Sequence, residues 1–276
     1  MQVVECCECG LLYLNPRPIA VEIESWYGPS YFRGDQQSVR RGYENYLDHG
    51  VINDLRANAA RKIALVSEHL RFKGSSVLEL GCATGEACCA AMNGGAHVVG
   101  CDLSADAIQR ARQRYPEIQF YCKRAHESPF LPASFDGILA FELIEHLTSP
   151  LAFVRDAGSL LRPGGILAIS TPNSDCGRRV GWNRWLGFHA SFEHLYFFGL
   201  STLTRMLATA GLSVEGVYSQ GDGRVGGAET SIRSLLRQTG LLQPATKIYR
   251  KALAPWATRW KKTGNDHTLL VVARKA

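Results

Sequence analysis

The chain has 276 residues and 46% hydrophobic content, enough for one large domain with appendages, and a formal charge of +6. That charge is uneven: from residue 228 on there are ten Lys or Arg against two Asp or Glu, so the body ahead of it is near neutral. This excludes the footprint of a dedicated nucleic-acid-binding protein, and no DNA partner is expected; no apolar run reaches the ~18 residues of a membrane span.

The first element in chain order is residues 1–30, where Cys6 and Cys9 stand in CxxCGL ahead of NPRP. Two thiols at this spacing are half of a tetrahedral zinc set. The segment resembles the second half of a zinc ribbon, and with half of the ligands the expectation is that no zinc is stably held. The N-terminus lacks the basic-then-apolar order of a secretory leader, and nine scattered cysteines fit a reducing compartment, so a cytoplasmic location is expected. Residues 31–74 read as an N-terminal helical segment. Within it Ile52, Leu55, Ala59, Ile63, Val66 and Leu70 predict an amphipathic helix over 51–72, ended by Lys73-Gly74.

Strands are then predicted at 76–80, 97–101, 118–122, 136–141 and 165–171, with helices between them, which gives a parallel sheet covered on both faces. Pro163 and the paired glycines after it turn the chain into the fifth strand. Two further strands, 212–219 and 267–273, would form the far edge. Residues 228–262 between them look helical and basic. Within 245–262, Ile248, Ala252, Trp256 and Trp260 recur every four residues among Lys and Arg, with Pro255 interrupting. Such a stripe suits peripheral contact with an anionic membrane surface at its inner face, or packing on its own domain.

The most informative stretch is VLELGCATG, residues 77–85: a strand, a glycine-bounded turn and a helix start, where backbone N–H groups can face a ligand. The glycines are expected to let ligand and backbone approach closely. The next strand ends in Asp102, placed to accept from ribose hydroxyls. The fingerprint GxGxxG is absent, since position 83 is Ala, which argues against a dinucleotide.

VLELGCATG, VVGCDLS, FDGILAFELIEHLTSP and LLRPGGILAISTPN, in this order, resemble the class I S-adenosylmethionine-dependent methyltransferases. The resemblance implies a Rossmann-like, doubly wound α/β fold: a mostly parallel seven-stranded sheet, helices on both faces and an antiparallel edge strand. The core would span 75–221, with a lid at about 174–199, and residues 222–276 would hold the basic insertion and last strand. It implies S-adenosylmethionine as cofactor, met by Glu79, Gly81, Cys82, Gly85, Asp102, Leu103, Ala125 and Phe141. Glu79 would accept from the methionine ammonium through the turn backbone or water, and Leu103 would cover one face of the adenine. Where the family carries an Asp for the adenine amine, this chain has Arg124, which cannot accept a hydrogen bond.

FELIEHL, residues 141–147, brings two carboxylates and an imidazole to the end of the fourth predicted strand. On a helical turn Glu142, Glu145 and His146 would share a face. With His194, the set resembles the metal-dependent branch that includes ubiquinone-pathway O-methyltransferases and small-RNA 2′-O-methyltransferases. The resemblance implies Glu142, Glu145, His146 and His194 as ligands of Mg²⁺ or Mn²⁺, with Glu145, His146 and His194 catalytic. The alternative has His146 acting alone as a base and His194 as packing. Trp182, Trp185 and Phe188 suit a ring on the acceptor, and Arg178, Arg179 and Arg184 a phosphate or carboxylate on it; a packed lid with solvated arginines is the alternative. The expected activity is methyl transfer to a hydroxyl of a small-molecule or glycan acceptor, a vicinal diol. RNA 2′-O-methylation and a non-catalytic cofactor-binding module are the rivals.

Overall fold

The apolar residues of the central strands alternate between two cores. Leu78, Leu80, Ile138, Ala140, Leu167 and Ile169 face one side, and Val77, Leu139, Ile166 and Ala168 the other. That period of two, buried on both faces, makes a sheet with helices above and below. The computed structural model describes residues 2–19, 22–23, 49–124, 129–182, 185, 193–220, 260–262 and 266–276. Its elements are β1 (Gln2–Glu5), β2 (Leu12–Asn15), α1 (His49–Val66), β3 (Ser76–Leu80), α2 (Glu86–Asn93), β4 (His97–Asp102), α3 (Ala105–Arg114), β5 (Gln119–Cys122), β6 (Phe135–Phe141), α4 (Pro150–Leu160), β7 (Leu161–Pro172), α5 (Ser174–Val180), β8 (Tyr196–Phe197), α6 (Leu200–Thr209), β9 (Leu212–Gln220), β10 (Trp260–Lys261) and β11 (Thr268–Lys275).

The large sheet has the order β10-β9-β11-β7-β6-β3-β4-β5. Strands β5 through β7 run parallel, and β11 lies antiparallel between β7 and β9. Seven principal strands and the two-residue β10 thus form the doubly wound α/β sheet that the sequence predicts. The chain leaves β3 toward β4 on one side and returns to β6 on the other. The crevice at the carboxyl ends of β3 and β6 is therefore the topological switch point, where such folds bind ligands.

Three local features differ from expectation. Helix α1 ends at Val66, six residues early, because the chain tightens there: Glu68 and His69 N–H donate three residues back, to Leu65 and Val66. Leu70 keeps its apolar role outside the helix, packed so closely on Gly137 of β6 that a Cβ there would lie 2.5 Å from Leu70 Cδ2. Strand β7 starts at Leu161 and carries the predicted turn inside it as a bulge. Its pairing with β6 jumps from Phe135↔Leu161 to Gly137↔Ile166, which loops out Arg162 to Gly165 with Gly164 at φ 76°. A second sheet, β1-β2-β8, was not foreseen at all. The insertion at 228–259 lies outside the described residues.

The turn glycines serve the protein's own packing. A Cβ on Gly85 (φ 87°) would lie 2.9 Å from Phe120 Cζ and 3.1 Å from Tyr115 Cδ2, and one on Gly81 (φ 74°) 3.0 Å from Leu143 Cδ1. Packing by itself is thus enough to demand glycine at Gly85. Gly85→Ala combines a left-handed backbone with a core clash and is expected to cost about 2–4 kcal/mol. Urea unfolding measures it, and an unchanged midpoint would contradict the packing account.

Candidate active site

The turn after β3 is tied to β4 by backbone and side chain. Gly81 and Cys82 N–H donate to Cys101 O at 2.8 and 3.1 Å. Asp102 Oδ2 accepts from Ala83 N and Oδ1 from Ser104 N, both at 2.8 Å. Burial raises the Asp102 carboxyl despite these backbone donors, which favour its charged form. Leu103, 39% exposed, stands beside it as one of few large apolar side chains at the described surface, as an adenine-covering residue would. Cys82 does not face the cleft with its thiol. It is buried, in the cluster of Cys88 and Phe120, so only its backbone can serve a ligand. Ala125 lies outside the described residues. Phe141, at the end of β6, is half-buried and carries the Lys62 ammonium 4.9 Å over its ring.

Glu79, one residue before the end of β3, is 4% exposed. It accepts from the Cys88 thiol and N–H, while its Oε2 has no partner. Burial, with Glu86 adding to it, pushes the carboxyl up to about 8. A cationic ammonium brought against Oε2 would favour the charged form and satisfy that oxygen, so the site fits the methionine end of S-adenosylmethionine. The folded value lies above the ordinary 4.5, so the stabilising contribution is full below pH 4.5 and is lost as pH rises toward 8. Glu79→Gln is therefore expected to match wild type near pH 4.5 and to exceed it by about 3 kcal/mol at pH 7. Urea unfolding at the two pH values checks this; a pH-independent difference would count against it.

At the end of β6 the chain passes through Glu142 at φ 50° and forms a single 3-10 turn, Ile144–His146. The left-handed Glu142 and the short turn after it replace the helical turn on which Glu142, Glu145 and His146 would share a face. Glu145, His146 and His194 come together, their ligand atoms all within 4.8 Å. Glu142 lies outside that group. Its carboxylate takes hydrogen bonds from Lys62 Nζ at 3.0 Å and Ser170 Oγ at 2.7 Å. Although 42% of its side chain stays exposed, Glu142 meets some desolvation; Lys62 and Ser170 outweigh it and hold the group below its ordinary value. Lys62, buried on α1, is the functional-site residue that sequence reading missed, because it sits among apolar helix positions and its partners are far away in sequence.

Glu145 is 1% exposed. Its Oε2 accepts from Thr171 Oγ1 at 3.0 Å, and its Oε1 has no hydrogen-bond partner. Burial and the neighbouring Glu142 charge push it well above the usual carboxylate range. The His146 and His194 rings meet edge to face at 4.8 Å. Burial, then His194, lowers His146 to about 3, so it is a neutral imidazole at physiological pH. One carboxylate and two imidazoles, with a buried carboxylate oxygen left over, can hold a divalent cation.

Among the described residues of the aromatic segment, Trp185 follows the packed-lid alternative. Trp185 is fully buried with Leu12, Cys176 and Phe197 against the N-terminal hairpin, and Arg178 pairs with Glu5 at 2.8 Å. Arg179 lies 3.7 Å from Cys176 Sγ, and Trp182 is 36% exposed beside Trp185. The hairpin thus takes up the Trp185 face in packing. Phe188 and Arg184 lie outside the described residues. Cys6 and Cys9 sit at the hairpin turn, where N–H groups of Cys9 and Glu8 hold the Cys6 thiol below its ordinary value. Among the described residues no helix is long and apolar enough to cross a membrane; most of 245–262 lies outside them.

Residues 51–217 match the family described as "Methyltransferase domain". A Mycolicibacterium smegmatis protein named "Probable S-adenosylmethionine-dependent methyltransferase" is 32% identical over 145 residues, 52% of this chain and 54% of that one. A ubiquinone biosynthesis O-methyltransferase of Xylella fastidiosa is 36% identical over 130 residues, 45% of this chain and 53% of that one. The chain thus spans about half the length of these curated relatives. Burkholderia thailandensis 1,6-didemethyltoxoflavin-N1-methyltransferase, solved with S-adenosylhomocysteine, aligns over 100% of both chains at 18% identity and a TM-score of 0.57. The cyclase SpnF aligns over 78% of this chain and 80% of its own at 22% identity and a TM-score of 0.53, so the fold alone does not fix the reaction.

Proposed function

Because this chain belongs to the methyltransferase-domain family and has the class I, S-adenosylmethionine-dependent fold, we propose that it transfers a methyl group to a hydroxyl oxygen of a small-molecule or sugar vicinal diol, with a divalent metal assisting. The observation that carries the finer reading is the trio Glu145, His146 and His194, of which Glu145 and His194 are buried, with Glu145 Oε1 lacking a hydrogen bond and lying 4.0 Å from His146 Nε2. S-adenosylmethionine, when bound, supplies a methyl group on a sulfonium, open to in-line displacement. The protein's part is then to hold both reactants and to help the hydroxyl lose its proton. Asp102, Leu103 and the turn around Gly81 hold the cofactor, and Glu79 takes its ammonium.

A divalent ion held by Glu145, His146 and His194 would supply Lewis acidity toward adjacent hydroxyls. Two nitrogens and one oxygen suit Mn²⁺ or a later transition metal better than Mg²⁺, which prefers oxygen and water. The value of about 3 at His146 favours its role as ligand over its role as lone base, since a base works best near ambient pH. The ubiquinone-pathway relative supports an oxygen acceptor.

The test is radiolabelled methyl transfer from S-adenosylmethionine to catechol and a panel of sugars, with and without chelator. Transfer that stops in chelator and returns with Mn²⁺ is the expected result. Full activity in chelator would leave the methyltransferase reading intact and remove the metal from it.

A further inference from the structure

We propose that Cys6 and Cys9, at the tip of the N-terminal hairpin, form a redox-active dithiol that exchanges with small-molecule disulfides. The tip folds back on itself. Cys6 N–H donates to Leu11 O and Gly10 N–H to Cys6 O, both at 2.9 Å, and Gly10 takes the left-handed φ of 73° that closes the loop. This turn returns Cys9 to the side of Cys6. The Cys6 sulfur accepts from the N–H groups of Cys9 and Glu8 and from the Cys9 thiol. Arg205 of α6 pins the loop, its Nη1 donating to Glu8 O at 3.2 Å. Cys6 and Cys9 are half-buried and Cys7 is exposed, so a dissolved reagent reaches the pair.

Two sulfurs in contact can share a metal ion or a bond, and the donor set decides between them. A structural zinc site takes four ligands. Among the described residues, the one group of three or more His, Cys, Asp or Glu close enough to share an ion is Glu145, His146 and His194, so neither Cys7 nor Glu8 adds a third ligand to the pair. What remains is chemistry that needs two sulfurs only. The backbone donors favour the thiolate of Cys6, which is the attacking form. That thiolate attacks one sulfur of a disulfide RSSR: the bond from Cys6 to SR forms, the RS–SR bond breaks, and RS⁻ leaves. Cys9 then gives its proton to water and attacks the Cys6 sulfur. The Cys6–Cys9 bond forms and a second RS⁻ leaves, so two electrons have passed from the dithiol to RSSR. The Cys9 thiol already donates to the Cys6 sulfur, and this second step needs little motion. Cys82 and Cys88 are also hydrogen-bonded to each other, but both are buried, and burial pushes the Cys82 thiol up to about 11. They lack both the access and the thiolate.

The test equilibrates the full chain in glutathione buffers of rising oxidised-to-reduced ratio. Acid quenches the exchange, N-ethylmaleimide blocks the free thiols, and fragment mass spectrometry reads the state of each cysteine. The expected result is an intramolecular Cys6–Cys9 disulfide that grows in as the ratio rises and is lost on return to reduced glutathione. The buried Cys82, Cys88, Cys101 and Cys176 should stay reduced throughout. Cys9→Ser should stop at a mixed disulfide between glutathione and Cys6, Cys6→Ser should lose the intramolecular bond, and Cys7→Ser should titrate as wild type does. At pH 7 iodoacetamide should alkylate Cys6 ahead of Cys7. A Cys6–Cys9 pair that keeps one state across the whole range would overturn the proposal, as would a bond formed through Cys7 in place of either partner. Stoichiometric zinc on the purified chain, lost in Cys6→Ser and blocking exchange until chelated, would overturn it in favour of a metal site completed from elsewhere.

Discussion

Asp102→Ala is expected to weaken S-adenosylhomocysteine binding about a hundredfold, read by isothermal titration. The carboxylate has two functions that fail together. It is the acidic group at the tip of β4, where ribose hydroxyls would be accepted, and a charge-assisted hydrogen bond to a ligand is worth about 1.5–3 kcal/mol. It also organises the turn, since Oδ2 holds Ala83 N–H and Oδ1 holds Ser104 N–H. Ala83 needs that brace because it sits at φ 44°, a left-handed conformation that a residue with a Cβ adopts at a cost. Asp102→Asn keeps one acceptor oxygen and should lose less than alanine does. Affinity within threefold of wild type in Asp102→Ala would show that the cofactor does not bind through this strand end.

Glu145→Gln is expected to lower turnover by about a thousandfold or more while raising the unfolding midpoint. The opposite signs identify a site. A buried carboxylate with an unpartnered oxygen, pushed well above its ordinary value, destabilises the fold that contains it. The amide keeps the shape, gives Thr171 an acceptor and removes the cost of burying an ionisable carboxyl. On the proposed reading, function loses a metal ligand at the same stroke. His194→Ala should lower turnover comparably, and both variants should bind S-adenosylhomocysteine within about twofold of wild type, since neither residue bonds the β3 turn. Turnover and stability falling in parallel would mark Glu145 as structural.

The large sheet was legible because its signals are local. Alternating apolar residues and the turn sequences around Gly81 and Pro163 fix strands to within a few residues without reference to distant chain. What was illegible depends on contacts between remote segments. Nothing near Leu12 announces a strand partner at Phe197, and nothing near Lys62 announces Glu142 and Ser170. Glu142 was misplaced for a subtler reason. Spacing of three and four implies a shared face only if the backbone is helical, and its φ of 50° breaks that premise before the 3-10 turn begins. The trio Glu145, His146 and His194 survived because two of its members are adjacent and the third was suggested by family resemblance.

The placement of β11 between β7 and β9 has a consequence for how the molecule is made. Strand β9 leaves the ribosome first, yet it has no seat in the sheet until β11 arrives, about 50 residues later, to separate it from β7. At a synthesis rate of roughly 5–20 residues per second, that is a wait of several seconds. During it the completed parallel half, already carrying the cofactor turn and the Glu145 turn, presents the open edge of β7 to whatever can pair with it. Leu269 to Ala273, fully buried once inserted, are therefore a closing bolt, and the interval before they engage is when a newborn chain is most exposed to joining the wrong partner.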